Sequence, residues 1–380
     1  MSKKIVLAID SFKGSASSLA VEEHVAKGIQ AVVPDAECVL VPVADGGEGT
    51  VEAIVDARHG VYHEADVMGP LGQPVKARYG MIDNETIAVL EMSAASGITL
   101  VKKDELNPLR ATTYGTGQMI LDAINRGAKE IYMGIGGSAT NDGGMGMAAA
   151  LGAKFLDKNG NELEPVVTSL AQLERIDCSG IDPRVAGVRF TILCDVTNPL
   201  CGPHGASHIF GGQKGADEEM KILLDSYLEL YAACIERDLG VSVKDIPGAG
   251  AAGGLGAGMI AFTKAHKQSG IDAVLKLIRL EEQIGEADLV VTGEGRMDNQ
   301  TAFGKAPVGV SGLAQKQNIP VVAVVGSRSL DTEAVYEKGI SLILDIINEP
   351  MPLEEAMKNV DALTQNTGRM IGRLIKGWMR

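Results

Sequence analysis

Aromatic side chains are scarce in this chain: one tryptophan, seven tyrosines and six phenylalanines, 4% of 380 residues. A surface that stacks unpaired bases needs more of them, which argues against single-stranded nucleic acid as a partner. Basic charge is short as well. Thirty-five Lys and Arg stand against 49 Asp and Glu, a formal net charge of −14, so there is no general basic face for a phosphate backbone. A small anionic substrate stays open, because a pocket can be locally positive on an acidic protein. The five cysteines (Cys38, Cys178, Cys194, Cys201, Cys234) are scattered without a Cys-x-x-Cys pair. That pattern speaks against a disulfide framework or a zinc site and for a reducing compartment. No apolar run approaches the ~18 residues that a membrane helix needs. The first such run, IVLAI at 5–9, meets Asp10 at once and reads as a strand, not a signal peptide. The expectation is a cytoplasmic protein with neither nucleic acid nor membrane as partner.

What is present is a globular composition, 45% hydrophobic and 22% charged, long enough for two domains. IVLAI is followed by a helical pattern (Val21, Val25, Ile29, Val32) capped by Ser18, with Glu22 and Glu23 in its first turn. CVLVPV (38–43) then runs into ADGGEGT and a helix through Ala57. The last hundred residues repeat this alternation, with strands at 288–292, 321–325 and 341–347, each followed by a helix. Five strands alternating with helices predict a doubly wound parallel sheet. Residues 61–92 instead hold extended runs at hairpin spacing, and further helices and strands follow to about 285. The expected organisation is a discontinuous α/β domain (1–60 and 286–380) split by an inserted α+β domain (61–285).

Ligands of open parallel sheets bind at the carboxyl ends of the strands. Those ends read Asp10-Ser11-Phe12-Lys13, Asp45-Gly46-Gly47-Glu48, Gly293-Glu294-Gly295-Arg296-Met297-Asp298 and Gly326-Ser327-Arg328. A single such turn is ordinary punctuation, but four charged turns on one edge point to function. Lys13, Arg296 and Arg328 suit phosphate or carboxylate oxygens, and arginine can bind either bidentately. Asp10, Glu294 and Asp298 are candidate Mg²⁺ contacts, since a hard cation takes carboxylate oxygen and keeps waters. This mixture of cations and carboxylates is what phosphoryl transfer requires.

Three glycine-rich stretches fall in the middle: GIGGSATNDGG (134–144), CDVTNPLCGPHGA (194–206) and GAGAAGGLGAG (248–258). The last matches G-x-G-x-x-G literally, yet Ile246-Pro247 stands where a strand should precede it. Small residues opening a helix mean either close packing or anion binding. No P-loop occurs, because Gly304-Lys305 is followed by Ala306 and lacks the earlier glycine.

In order along nearly the whole chain, DSFKGS (10–15), PVADGGEGT (42–50), GIGGSATNDGG, CDVTNPLCGPHGA, GAAGGLGAG (250–258) and GEGRMDNQTAFGKAPVGV (293–310) resemble the bacterial type 1 glycerate kinase family. The resemblance implies ATP-dependent phosphorylation of D-glycerate with Mg²⁺, in glyoxylate or sugar-acid breakdown. It also implies a flavodoxin-like domain split by an inserted α+β domain. Family members are described with either 2-phosphoglycerate or 3-phosphoglycerate as product, so the attacking hydroxyl stays open.

The resemblance brings no catalytic list, and the roles expected here follow from residue chemistry. Substrates are expected in a cleft between the domains. Asp195 or Asp45 is expected to accept or position the hydroxyl proton, with Lys13 neutralising the phosphoryl group. Ser11, Arg296, Arg328 and Asn141 are the candidate substrate contacts. Gly136, Gly137, Ser138, Gly253, Gly254 and Lys305 are the candidates for nucleotide phosphates. The partners expected are D-glycerate and ATP, and a homo-oligomer is compatible with this reading. A nucleotide-dependent oxidoreductase competes, because GIGGSA with Asp157 downstream resembles a dinucleotide fingerprint. Against it, Asn141-Asp142-Gly143-Gly144 interrupts the stretch where the dinucleotide helix should run. A non-catalytic two-lobed binder of a small acid is the third reading, and clustered carboxylates suit an anion poorly there.

Overall fold

A computed structural model describes residues 2–378. Its strands, in chain order, begin with β1 (Lys4–Ile9), β2 (Glu37–Leu40), β3 (Val61–Met68), β4 (Pro74–Ile82) and β5 (Ile87–Glu91). There follow β6 (Glu130–Gly134), β7 (Lys154–Leu156), β8 (Arg175–Asp177), β9 (Arg189–Leu193) and β10 (His266–Gln268). The last are β11 (Leu289–Met297), β12 (Val321–Arg328) and β13 (Leu342–Asp345). The class is α/β. The chain divides into two compact units, Met1–His59 with Ile271–Arg380, and Gly60–Gly270.

The discontinuous unit holds a five-stranded, wholly parallel sheet in the order β13-β12-β11-β1-β2. Its strands are built on runs of Val, Ile and Leu, as a sheet covered on both faces demands, and β11 and β12 turn polar only toward their carboxyl ends. Ile5, Leu7 and Ile9 pack against Val21, Val25 and Ile29 of the helix Ser18–Gln30, and against Leu363, Ile371 and Ile375 of the helix Val360–Trp378. The helix Ala306–Lys316 lies against β11 and β1. The two long helices touch through glycine: a Cβ on Gly28 would stand 2.1 Å from the Gln365 carbonyl oxygen, and one on Gly368 2.2 Å from that of Val25.

Several boundaries differ from the sequence reading. β11 and β12 run on through Gly293 and Gly326, which read as turn residues in sequence, and pair as far as Met297 with Arg328. Those glycines are there because backbone lies where a side chain would stand: the Val324 carbonyl oxygen is 1.9 Å from a Cβ on Gly293. Ser17, not Ser18, caps the first helix, its hydroxyl accepting from Ala20 N at 3.3 Å. Ser18 and Glu22 are buried and bond β1 instead, so burial overrides the dipole reason given for Glu22.

The unit Gly60–Gly270 has a mixed six-stranded sheet, β10-β9-β6-β5-β4-β3. The first three of its strands form the antiparallel meander expected at 61–92, while β5, β6, β9 and β10 pair in parallel. β7 and β8 make a separate small hairpin. Phe155 lies between Tyr231 and Phe262, ring centroids 6.1 and 6.0 Å away, so a few of the scarce aromatics anchor this core.

Candidate active site

Parallel pairing brings all five carboxyl ends of the first sheet to one edge. Asp10 follows β1 directly. It is buried, its amide donates to the Gly293 carbonyl at 2.9 Å, and its carboxylate accepts from Ser11 N at 2.7 Å. Burial first, then the neighbouring Asp45 charge, and more weakly Glu294, push its pKa up to about 7, against the pull of the Ser11 amide and Lys13. Asp45 accepts from Gly47 N at 3.0 Å, and its other oxygen lies 3.8 Å from Lys13 Nζ. Lys13 itself is exposed.

Glu294 comes from β11 and is also buried. It accepts from Thr301 Oγ1 at 2.5 Å and lies 3.4 Å from Lys305 Nζ. Burial raises its pKa, while Thr301 and Lys305 oppose that. Asp298 caps the turn Asn299–Phe303, accepting from Gln300 N at 2.9 Å, and stands 4.0 Å from Lys305. Asp10, Lys13, Asp45, Glu294, Asp298 and Lys305 thus form one charged edge.

The two arginines differ. Arg328 is held by Asp345, Nε to Oδ2 at 3.1 Å, and donates to the Tyr336 hydroxyl at 3.3 Å. Arg296 is exposed on the neighbouring strand, and among the described residues it has no ion-pair partner. No three His, Cys, Asp or Glu groups among the described residues are arranged to cage a metal ion. The oxygen donors fit a different requirement, since Mg²⁺ that arrives on a nucleotide keeps its waters and needs only one or two carboxylates.

In the other unit, Asp195 follows β9, is exposed, and accepts from Gly270 N at 3.1 and 3.3 Å. GIGGSATNDGG begins at the end of β6, and the helix after it starts only at Met145. Gly136 and Gly137 are exposed, whereas Ser138, Thr140, Asn141 and Asp142 are buried. Asn141 donates to Ser207 Oγ at 3.0 Å. Gly253 and Gly254 pack on this same loop: a Cβ on Gly253 would stand 2.0 Å from the Thr140 carbonyl oxygen, and one on Gly254 2.8 Å from Gly143 Cα. Close approach of two glycine loops therefore explains the small residues at 253–254.

Two buried groups escaped the sequence reading. Asp142 accepts from Thr113 N at 2.7 Å, Thr113 Oγ1 at 2.8 Å, Gly144 N at 3.1 Å and Gly146 N at 3.2 Å, which ties down the far end of the loop. Lys214 is buried and donates to the Thr140 carbonyl at 2.6 Å. Burial pulls its pKa down to about 7, with Asp142 opposing. The only signal in sequence is a lysine set among glycines, GGQKGA (211–216), with no periodicity to mark it as buried.

Comparison with known proteins gives this geometry a context. The model of the glycerate kinase family matches residues 5–376. A glycerate kinase of Bacillus subtilis (strain 168) is 46% identical over 98% of both chains. A glycerate 2-kinase of Escherichia coli (strain K12) is 49% identical over 93% of both. A crystal structure provisionally named glycerate kinase 2, from Salmonella typhimurium LT2, superposes with a TM-score of 0.92 at 43% identity over the whole of both chains. By sequence along its length and by fold, this chain belongs to the glycerate kinase family.

Proposed function

We propose that the chain transfers the γ-phosphoryl group of ATP to the 2-hydroxyl of D-glycerate, giving 2-phosphoglycerate and ADP. Family membership supports the reaction class, and the 49% identical relative named glycerate 2-kinase supports the position. The observation that carries the chemistry is the charged edge of the parallel sheet, where the carboxylates Asp10, Asp45 and Glu294 alternate with Lys13 and Lys305. The strand order, counted within the unit as 2-1-3-4-5, supports a flavodoxin-like sheet split by residues 60–270.

Arg296 is the better carboxylate anchor for glycerate, since Arg328 is already neutralised by Asp345. Lys13 and Lys305 offset charge on the transferring group. Asp45, solvent-accessible and beside Lys13, orients the attacking hydroxyl and takes its proton; Asp195 is the second candidate for that step. Ser11 offers a hydroxyl beside Asp10 for a substrate oxygen. Asp10 and Glu294 would hold Mg²⁺, which when bound supplies charge neutralisation for the phosphates. In GIGGSATNDGG, only the exposed Gly136 and Gly137 are open to a phosphate; the buried Asn141 shapes the loop. Incubation with ATP, Mg²⁺ and D-glycerate, followed by phosphorus NMR, tests the reading. A 2-phosphoglycerate resonance is expected. 3-Phosphoglycerate would overturn the position, and no phosphoglycerate at all would overturn the reaction.

A further inference from the structure

The ladder between β1 and β2 stops early, and side chains take over its last bonds. Val41 N donates to the Leu7 carbonyl at 2.9 Å. Regular parallel pairing would next join Val43 N to the Ile9 carbonyl. The Ser18 hydroxyl stands in that bond instead, donating to Ile9 O at 2.5 Å and accepting from Val43 N at 3.1 Å. One helical turn further, Glu22 Oε1 accepts from Ile9 N at 2.9 Å. Both backbone groups that Ile9 turns toward β2 are therefore held by the helix Ser18–Gln30. Ser18 and Glu22 are buried, 6% and 0% exposed.

A buried carboxyl is a costly way to end a ladder, since two more backbone bonds would close it without one. What the insertion achieves is separation. Ile9 is followed by Asp10, and Val43 by Ala44 and Asp45. Between the parted segments lies a pocket lined by Asp10, Ser11, Ser18, Val43 and Gly49.

We propose that Ser18 and Glu22 are positioning residues for phosphoryl transfer: wedged into the β1–β2 ladder, they set how far the two strand ends part and hence where Asp10 and Asp45 stand. The inference rests on the kinase reading for its catalytic consequence, while the wedge itself has a readout independent of turnover. Amide hydrogen exchange and kinetics are measured on the full chain carrying Ser18→Ala, Glu22→Leu or Glu22→Gln. Ser18→Ala is expected to speed exchange at Val43 about tenfold or more, and Glu22→Leu at Ile9, with Leu7 unchanged. Both should lower kcat about tenfold or more while KM for ATP and for D-glycerate moves less than about threefold. Glu22→Gln keeps the acceptor for Ile9 and should restore kcat to within about threefold of the unaltered chain. Unchanged kcat in Ser18→Ala and Glu22→Leu, unchanged exchange, or a Glu22→Gln as slow as Glu22→Leu would each overturn the proposal. If Glu22→Leu also exposes Leu7, the sheet has opened, and the smaller Ser18→Ala change carries the test. An unaltered chain inactive on glycerate would sink the kinase reading and leave the exchange pattern to decide the wedge.

Discussion

Arg296 and Arg328 carry the same charge near the ends of neighbouring strands, but Asp345 neutralises one of them. If Arg296 anchors the substrate carboxylate, Arg296→Ala is expected to raise KM for D-glycerate about tenfold or more with little change for ATP, because a charge-assisted pair would be lost. Arg328→Ala should do much less, and steady-state kinetics with each substrate varied separates the two. Asp45→Asn should lower kcat ~10²-fold or more if this carboxylate takes the hydroxyl proton. If Asp195→Asn does so instead, the base lies in the unit Gly60–Gly270. Lys214 gives a pH test. Its folded pKa, about 7, lies below the ordinary 10.5, so between those values the unfolded chain binds the extra proton. Its contribution to stability therefore rises with pH across that window and is least favourable below pH 7. The stability of the unaltered chain minus that of Lys214→Met, measured by denaturant unfolding, should climb from pH 7 to pH 9; a flat difference would contradict the burial argument.

At the scale of elements, glycine decides much of the geometry. The helices Ser18–Gln30 and Val360–Trp378 meet backbone to backbone at Gly28 and Gly368. Gly28→Ala should destabilise the protein by about 1–3 kcal/mol through overpacking. Gly312→Ala is the control, because among the described residues nothing lies within 4 Å of a Cβ there and alanine favours the interior of the helix Ala306–Lys316 by roughly 0.5–1 kcal/mol. Thermal unfolding of the two variants should shift in opposite directions. The same residue type marks the limit of what the sequence discloses. The parallel alternation, the charged strand ends and the meander at 61–92 were all legible, because periodicity and charge are local properties. Gly293 and Gly326 read as turns, since the approach of a neighbouring strand is invisible in a single stretch. Ser18 and Glu22 read as ordinary helix-start residues for the same reason: their partners Ile9 and Val43 come from elsewhere in the chain. The buried Lys214 left only its glycine neighbours as a sign, for lack of any periodic frame around it.

For the molecule as a whole, the pairing of β1 with β11 joins Ile5 to Leu289 at the centre of a sheet whose first two strands are made long before the other three. During synthesis at ~5–20 residues per second, roughly 15–60 s separate the appearance of these neighbours. The unit Gly60–Gly270 is continuous in the chain and can complete its own sheet within that interval. The segment IVLAI cannot: its side chains are fully buried in the finished sheet, yet its central partner does not exist while the insert is being made. For that time β1 has only β2 to pair with, and its other edge stays open to wrong pairing or to capture by a chaperone. The arrangement that gathers charged residues from both segments of the discontinuous unit onto one edge thus delays assembly of that edge until the insert has been made.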